Sequence, residues 1–226
     1  MSIAKIINPP MVPVDLASEL GPQGIREILE VLWLSYHDMV NKKHMFSASS
    51  REDDITEIWA VYVQRRWYRE NRALSLSVEL DPVMQHLDDT KAKKVGQSPR
   101  IDFSFRAMDP DNRYFGVECK NLSEDRKELF TRYVETGIDN YSSGRYGSSS
   151  VENALVGYVL QGDVSDVVDS LNNLVIRDTS TVDGMNRDFS YCDPHYRSRH
   201  HRSLDSKIVL LHHLFFNLVQ NQTNTY

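Results

Sequence analysis

Two neighbouring stretches in the middle of the chain, residues 101–106 and 114–120, alternate between apolar and polar positions. This period of two is typical of strands with one buried face. Residues 108–112 between them are rich in turn-forming types. The pattern therefore predicts a β-hairpin with one apolar and one polar face. The apolar face would carry Ile101, Phe103, Phe105, Phe115, Val117 and Cys119, and the polar face Asp102, Glu118 and Lys120.

The polar face of this hairpin brings two acidic residues together. If the turn is centred on Pro110, Asp102 lies opposite Glu118, and residues paired in this way have Cβ atoms about 4.5–5.5 Å apart. Two carboxylates at that distance repel each other unless a cation lies between them or one of them takes a proton. A divalent cation with oxygen ligands would remove the repulsion, whereas a register shift of one residue would separate the pair.

Further elements are predicted on both sides of the hairpin. Apolar residues at helical spacing predict helices over residues 22–42, from Ser49 or Ser50 to about residue 66, over 123–141 and over 163–176. Alternation at 74–80 and an apolar run at 154–160 predict two strands, the second buried on both faces. From the second helix onwards the predicted order is α, β, β, β, α, β. The last apolar run, residues 207–219, fits either an edge strand or a terminal helix.

The second predicted helix carries an acidic residue on its apolar side. At about 100° per residue, Glu52 lies on the side of Ile55 and Tyr62, while Glu57 lies opposite. A buried acid needs a partner, and a bound metal ion would supply one. The alternative is that Glu52 only interacts with the dipole at the helix N-terminus. Asp53 is the nearer substitute for Glu52 in the metal role, and Glu57 the more distant one.

Asp102 and the sequence Glu118-Cys119-Lys120 resemble the PD-(D/E)XK nuclease superfamily, in which an acidic residue on one strand precedes Glu-x-Lys on the next. The resemblance covers about residues 51–159. It implies an α/β, restriction-endonuclease-like fold: an αβββαβ core with a mixed central sheet flanked by helices, here with an N-terminal helical extension. Pro99 departs from the family pattern, because it lies three residues before Asp102 rather than next to it.

The resemblance also implies a metal-dependent site. Asp102, Glu118, the backbone carbonyl of Cys119 and Glu52 would hold Mg²⁺ or Mn²⁺, which prefer oxygen ligands. Lys120 would orient the attacking water and help to neutralise the transition state. The implied function is that of an endonuclease hydrolysing phosphodiester bonds, with DNA the expected substrate and bacterial restriction or anti-phage defence the expected context.

Two other interpretations remain open. The chain could be a catalytically inactive nuclease-fold subunit that acts as a nucleic-acid-binding or assembly module. It could also be an unrelated α/β protein with a chance match to the motif, in which case Asp102 and Glu118 would lie far apart or Lys120 would form a surface ion pair.

Two groups of residues are candidates for contacts with nucleic acid. By the resemblance, the helix after the Glu-x-Lys strand borders the substrate. A run of arginines near residue 200 is the densest positive patch in the chain, although a solvated loop or a contact with a partner subunit would explain it equally well. The candidates are Arg132, Tyr141 and Arg145 in the first group, and Arg197, Arg199 and Arg202 in the second.

Composition limits these expectations. A chain of 226 residues that is 40% hydrophobic is long enough for one domain with a sizeable core. We expect an N-terminal extension over residues 1–48, a catalytic core over about 49–180 and a C-terminal arm over 181–226. The net charge of −6 means that a nucleic-acid site must be a local basic patch. Homodimerisation would suit double-strand cutting, and a regulatory partner would keep such an enzyme inactive; the sequence identifies neither.

The cysteine and histidine content bears on location and metal type. Two distant cysteines, Cys119 and Cys192, do not form a disulfide framework and fit a reducing cytosol. The N-terminus has no apolar signal core, and no run approaches the roughly 18–20 apolar residues of a membrane span. We therefore expect a cytoplasmic protein. The histidines near the C-terminus lack the spacings of zinc motifs, so a structural zinc site is not favoured.

Overall fold

The structure, a computed structural model, describes residues 15–42, 44–69, 76–79, 101–107, 113–192 and 194–219. The predicted turn at residues 108–112 and Pro99 lie outside these ranges. The helices are α1 (Leu16–Asn41), α2 (Glu52–Arg69), α3 (Lys127–Arg132), a π-helix (Tyr133–Ile138), α4 (Asp139–Ser142) and α5 (Val164–Val175). The strands are β1 (Leu76–Glu79), β2 (Phe103–Ala107), β3 (Tyr114–Ser123), β4 (Glu152–Gln161), β5 (Thr181–Arg187), β6 (His195–His201) and β7 (Ile208–Asn217).

The described strands form one mixed open sheet in the order β1-β2-β3-β4-β7-β6-β5. Strands β3, β4 and β7 run parallel to one another, and the outer strands pair antiparallel on both sides. From α2 to α5 the elements follow the predicted order α, β, β, β, α, β. The predicted α/β class, with a mixed sheet flanked by helices, is confirmed.

The hairpin of β2 and β3 has the predicted register. Phe103 pairs with Val117, and Phe105 pairs with Phe115. Continuing that register by one residue places Asp102 across from Glu118. The ladder between the two strands ends at Phe103 and Val117, so Asp102 and Glu118 lie at the point where β2 stops and β3 continues.

The hairpin is buried on both faces, contrary to the prediction that one face would be polar and exposed. Helices α1 and α2 cover the face that carries Phe103, Val117 and Cys119. The segment from α3 to α4, together with α5, covers the other face. A strand between two helical layers has no solvent-exposed side, whatever its alternation.

Ile101 lies on the opposite face from the one predicted. It packs in the second cluster, against the α3–α4 side, and its Cδ1 atom would clash with a Cβ atom added at Gly116. Strict alternation fails here because Ile101 and Asp102 precede the first residue of β2. Gly116 leaves the room that the Ile101 side chain occupies.

Helix α1 begins before the predicted start. Asp15 caps its N-terminus by accepting hydrogen bonds from the amides of Ala17 and Ser18. Gly21 then interrupts the helix with a φ of 63°, a left-handed conformation that glycine adopts without strain. The regular stretch that follows starts at Pro22, the residue at which the sequence predicted the helix to begin.

Residues 181–219 do not form an arm beside the core. They contribute β5, β6 and β7 to the sheet, and β7 lies between β4 and β6. The prediction of an edge strand or a terminal helix for the last apolar run was therefore wrong, because β7 is an interior strand that is parallel to β4. None of the described helices is long and apolar enough to cross a membrane.

Candidate active site

The candidate site lies along the edge of β3 beyond the end of its ladder with β2. The amides of Cys119 and Asn121 on this edge donate to side chains instead of to a neighbouring strand. Cys119 donates to Asp102 Oδ2 at 2.7 Å, and Asn121 donates to Glu52 Oε2 at 2.9 Å. Two carboxylates from separate elements thus accept the amide hydrogen bonds that a neighbouring strand would otherwise accept.

Glu52 reaches this edge from the first turn of α2. Its second oxygen, Oε1, accepts from Lys120 Nζ at 3.2 Å. The Asn121 side chain donates to the carbonyl of Ser50 at 2.9 Å, which ties the start of α2 to β3. Asp53 and Glu57 are both exposed. Of the three acids considered on this helix, Glu52 is therefore the one that the structure brings to Lys120.

Lys120 is buried at the centre of the site. Its Nζ donates to Glu118 Oε1 at 2.6 Å and to the carbonyl of Cys119 at 2.7 Å, in addition to Glu52. Only 7% of the Lys120 side chain is exposed. A chance match to the motif predicted a surface ion pair for Lys120, whereas the observed ion pair is buried.

Glu118 is a buried carboxylate, and only one of its two oxygens accepts a hydrogen bond from the described residues. Its Oε1 accepts from Lys120, but its Oε2 is buried and accepts no hydrogen bond from the described residues. A buried charged oxygen without a partner is costly. Oε2 is therefore the oxygen of the site with most to gain from an additional cation or proton donor.

Asp102 and Glu118 each have a raised pKa and hold protons more tightly than free acids do. Burial, opposed by the charge of Lys120 and the amide of Cys119, raises the pKa of Asp102 to about 6. Burial and the neighbouring charge of Asp102 raise the pKa of Glu118 well above its ordinary value. Burial alone would lower the pKa of Lys120, but the charges of Glu118, Glu52 and Asp102 outweigh it and raise that pKa. Lys120 is therefore a permanent cation among acids.

A cleft of about 320 Å³ opens beside Glu52. It is formed by the start of α2, the end of β3 and the helix α3. Its lining residues are Ser49, Ser50, Arg51, Glu52, Asp53, Asn121, Arg126, Leu129 and Arg132. The lining carries three arginines against the two acids Glu52 and Asp53, in a chain of net charge −6. Arg51 pairs with Asp53 at 3.4 Å, and Arg126 pairs with Glu128 at 2.8 Å.

The residues predicted to contact nucleic acid lie in different environments in the structure. Arg132 is exposed on the rim of the cleft, next to the candidate site. Tyr141 is fully buried, and its hydroxyl donates to the carbonyl of Ala154 at 3.2 Å, so the ring supports the core and cannot face a ligand at the surface. Arg145 is exposed directly after α4.

Arg202 does not match the prediction of a surface contact. Its guanidinium donates to the carbonyls of Gly147 and Ser150 and pairs with both oxygens of Asp205. None of its side chain is exposed. Arg202 therefore holds the loop before β4 against the turn between β6 and β7, which is a structural role.

Arg197 and Arg199 lie away from the candidate site. They belong to β6, which is three strands from β3, or about 14 Å at the usual spacing. Arg197 pairs with Asp188 at 2.6 Å and Arg199 with Asp183 at 3.1 Å. They line a separate cavity of about 460 Å³ on the sheet face. The arginine-rich segment is a strand with local ion pairs, not an extension of the cleft.

Sequence reasoning missed the histidine networks inside the protein. On the α5 side of the sheet, Ser198 Oγ lies 2.7 Å from the Nε2 atoms of both His200 and His213, and His213 Nδ1 lies 2.8 Å from the hydroxyl of Tyr133. On the α1 side, His195 contacts His212, which contacts Glu152. The available signal was the position of His212 and His213 inside the apolar run 207–219, because the polar residues of a strand that is buried on both faces are buried with it.

The site thus combines a half-satisfied buried carboxylate, two further acids, a backbone carbonyl and a lysine beside a cleft whose lining includes three arginines. In the part of the chain that the structure describes, no three His, Cys, Asp or Glu side chains stand close enough to form a ready metal cluster. Lys120 provides the positive charge among the acids instead. Comparison of the chain with protein-family models, with curated proteins and with solved structures gave no match.

Proposed function

We propose that this protein is a metal-dependent nuclease of the PD-(D/E)XK type that hydrolyses phosphodiester bonds, with DNA as its substrate. The observation that carries the proposal is the convergence of Asp102, Glu118, Lys120 and Glu52 at the open edge of β3. These are the residues that the resemblance assigns to the reaction. The αβββαβ order of the elements and the arginines of the cleft beside Glu52 support the same function.

The chemical types of the oxygen donors at this edge suit a Mg²⁺ or Mn²⁺ ion. The donor set consists of carboxylate and carbonyl oxygens, which these ions prefer. Glu118 Oε2 is buried without a hydrogen-bond partner, so a cation would satisfy it. Asp102, Glu118, the carbonyl of Cys119 and Glu52 are the groups that would hold the ion. When bound, the ion would lower the pKa of a water molecule and stabilise negative charge on the phosphate.

The chain's own residues would perform the remaining tasks. Arg132, with Arg126 on the same rim, would bind the phosphates on either side of the scissile bond. Lys120 would donate hydrogen bonds to the attacking water and to the phosphate oxygens on which charge develops. The tie between Asn121 and Ser50 would keep Glu52 in position against β3.

Cleavage of supercoiled plasmid with Mg²⁺, with Mn²⁺ and with EDTA tests the proposal. Wild-type protein should nick the plasmid only when a divalent cation is present. Lys120→Ala and Glu118→Ala should lose at least about 100-fold in rate, as is typical when a group that stabilises the transition state is removed. Lys127→Ala, which removes an exposed lysine from α3, is the matched control and should cut at the wild-type rate.

The outcome also separates the alternative interpretations. Equal rates for wild type, Lys120→Ala and Glu118→Ala would show that the site does not catalyse the cleavage. No cleavage by a folded wild-type protein that still binds DNA would favour the inactive binding module. The circular dichroism spectrum of each variant shows whether a lost rate reflects a lost fold.

A further inference from the structure

The ammonium of Lys120 contacts groups that are also proposed to hold the divalent cation. Nζ is 2.6 Å from Glu118 Oε1, 2.7 Å from the carbonyl oxygen of Cys119 and 3.2 Å from Glu52 Oε1. Three of the four proposed ligands therefore already contact a cation that belongs to the chain. The side chains of Glu118 and Lys120 are each only 7% exposed, so water screens these contacts weakly.

From this geometry we infer that Lys120 and the divalent cation compete for the same ligand groups, so that Lys120 sets the metal affinity of the site. The inference rests on the proposed function. Two cations on the same buried ligand groups repel each other strongly, because the surroundings have a low effective dielectric constant. Entry of the metal ion therefore requires Nζ to leave at least part of its present position.

The hydrogen bonds of Lys120 give this competition a consequence for the reaction. A lysine ammonium has three N–H donors. In the structure it makes three hydrogen bonds, all of them to protein oxygens. Lys120 is then unable to donate to a water molecule or to a phosphate until one of these bonds is released. Displacement by the metal ion supplies that release, so metal binding both fills the site and frees the lysine for the substrate.

Calorimetric titration of Mg²⁺ and of Mn²⁺ into the protein, without nucleic acid, tests the competition. Lys120→Met keeps most of the side-chain volume but removes the competing charge. Its Kd for the metal should be lower than that of the wild type by on the order of tenfold or more. Lys127→Met makes the same change at an exposed lysine on α3 and should bind the metal within about twofold of wild type. A Kd for Lys120→Met equal to or higher than that of the wild type overturns the inference.

A second measurement uses the wild-type protein, because Lys120→Met leaves Glu118 and Glu52 without their cation and could fold poorly. Lysine side chains are acetylated with a short pulse of reagent, and mass spectrometry reports each position. Lys120 is 5% exposed and should react slowly in EDTA. Saturating Mg²⁺ should raise its labelling several-fold, with Lys127 unchanged as the internal reference. Unchanged labelling of Lys120 at saturating metal overturns the competition.

The two proposals fail in different ways. If neither the wild type nor Lys120→Met binds Mg²⁺ or Mn²⁺, the metal-dependent function itself is wrong and the competition falls with it. If both bind with the same Kd, the metal site stands and only the competition with Lys120 is wrong.

Discussion

At the scale of single residues, the buried charge of Asp102 destabilises the folded protein. Burial raises the pKa of Asp102 from 3.8 to about 6, so the folded state holds this proton more tightly than the unfolded state does. Ionised Asp102 therefore destabilises the folded protein, fully above about pH 6 and progressively less as the pH falls towards 3.8. The site keeps a charge in a position where a neutral residue would be more stable, which is common where function requires the charge.

Replacing Asp102 by Asn should raise the free energy of unfolding at pH 7.5 by on the order of 1–3 kcal/mol in the absence of divalent cations. Asn retains an oxygen that can accept from the amide of Cys119, but it carries no charge. Urea unfolding between pH 4 and 7.5 should show the gain shrinking as the pH falls. Asp53→Asn changes an exposed acid on the same side of the protein and should have little effect. A less stable Asp102→Asn protein at pH 7.5 would contradict this account.

Arg202 provides the opposite case, a buried charge that supports the fold. Arg202→Ala should lower the free energy of unfolding by at least about 2 kcal/mol, because it removes the hydrogen bonds that the buried guanidinium donates to Asp205 and to the carbonyls of Gly147 and Ser150. Arg199→Ala removes an exposed arginine with one ion pair from the adjacent strand and should cost less than about 1 kcal/mol. Urea unfolding compares the two, and similar costs would argue against a structural role for Arg202.

These residues also show how far sequence reasoning extends at this scale. The apolar side of α2 indicated that Glu52 faces the core, and the structure places it beside Lys120. Tyr141 and Arg202 were misplaced, because their burial depends on Ala154 and on Gly147 and Ser150. Local periodicity carries no information about such partners.

At the scale of elements, the buried histidines make the sheet sensitive to acid. Burial lowers the pKa of His200 to about 4 and the pKa of His213 well below its ordinary value. Below about pH 6.5, these two histidines therefore bind protons more readily in the unfolded state than in the folded state. Their contribution to stability is complete above that pH and is lost as the pH falls towards 4.

His200→Gln should make the stability of the protein less dependent on pH. Between pH 4.5 and 6 the slope of unfolding free energy against pH should fall by about 1.4 kcal/mol per pH unit, the value for one proton. Gln retains groups that can hydrogen-bond with Ser198. His201→Gln is the matched control, since His201 is the next residue and is exposed. Urea unfolding at a series of pH values measures both slopes, and equal slopes would exclude His200 as a contributor.

The elements themselves were predicted unevenly. The stripe of Leu129, Phe130, Tyr133, Val134 and Ile138 is buried as the helical spacing indicated. The π-helix within it was not foreseen, because a single turn with i→i+5 hydrogen bonds leaves the spacing of the apolar residues nearly the same. The sequence also does not show whether a strand lies at the edge or in the interior of a sheet, because the order of strands depends on pairing between distant segments. For β7 this led to the wrong position in the sheet.

At the scale of the whole molecule, the proposed function requires an acidic protein to bind an acidic polymer through a small region. The net charge is −6, and the cleft beside Glu52 gathers Arg51, Arg126 and Arg132. Association should therefore depend on a few phosphate contacts instead of on a general positive field.

Arg132→Gln should weaken DNA binding at every sequence and reduce the slope of log K against log salt by about 1, the value for one phosphate contact. Fluorescence anisotropy in EDTA measures this without cleavage. Arg65→Gln removes an exposed arginine further along α2, away from the cleft lining, and should leave the slope unchanged. Equal slopes for the two variants would place the DNA outside the cleft.

The position of β7 has a consequence for how the protein reaches its fold. This strand separates β4 from the antiparallel pair of β5 and β6, although it follows all of them in the chain. The pair has no neighbour to dock against until Ile208–Asn217 has been synthesised and has paired with β4. Pairings between such distant segments slow folding. During synthesis, β4 therefore presents an open apolar edge, a surface on which chaperones or other nascent chains can act before the sheet closes.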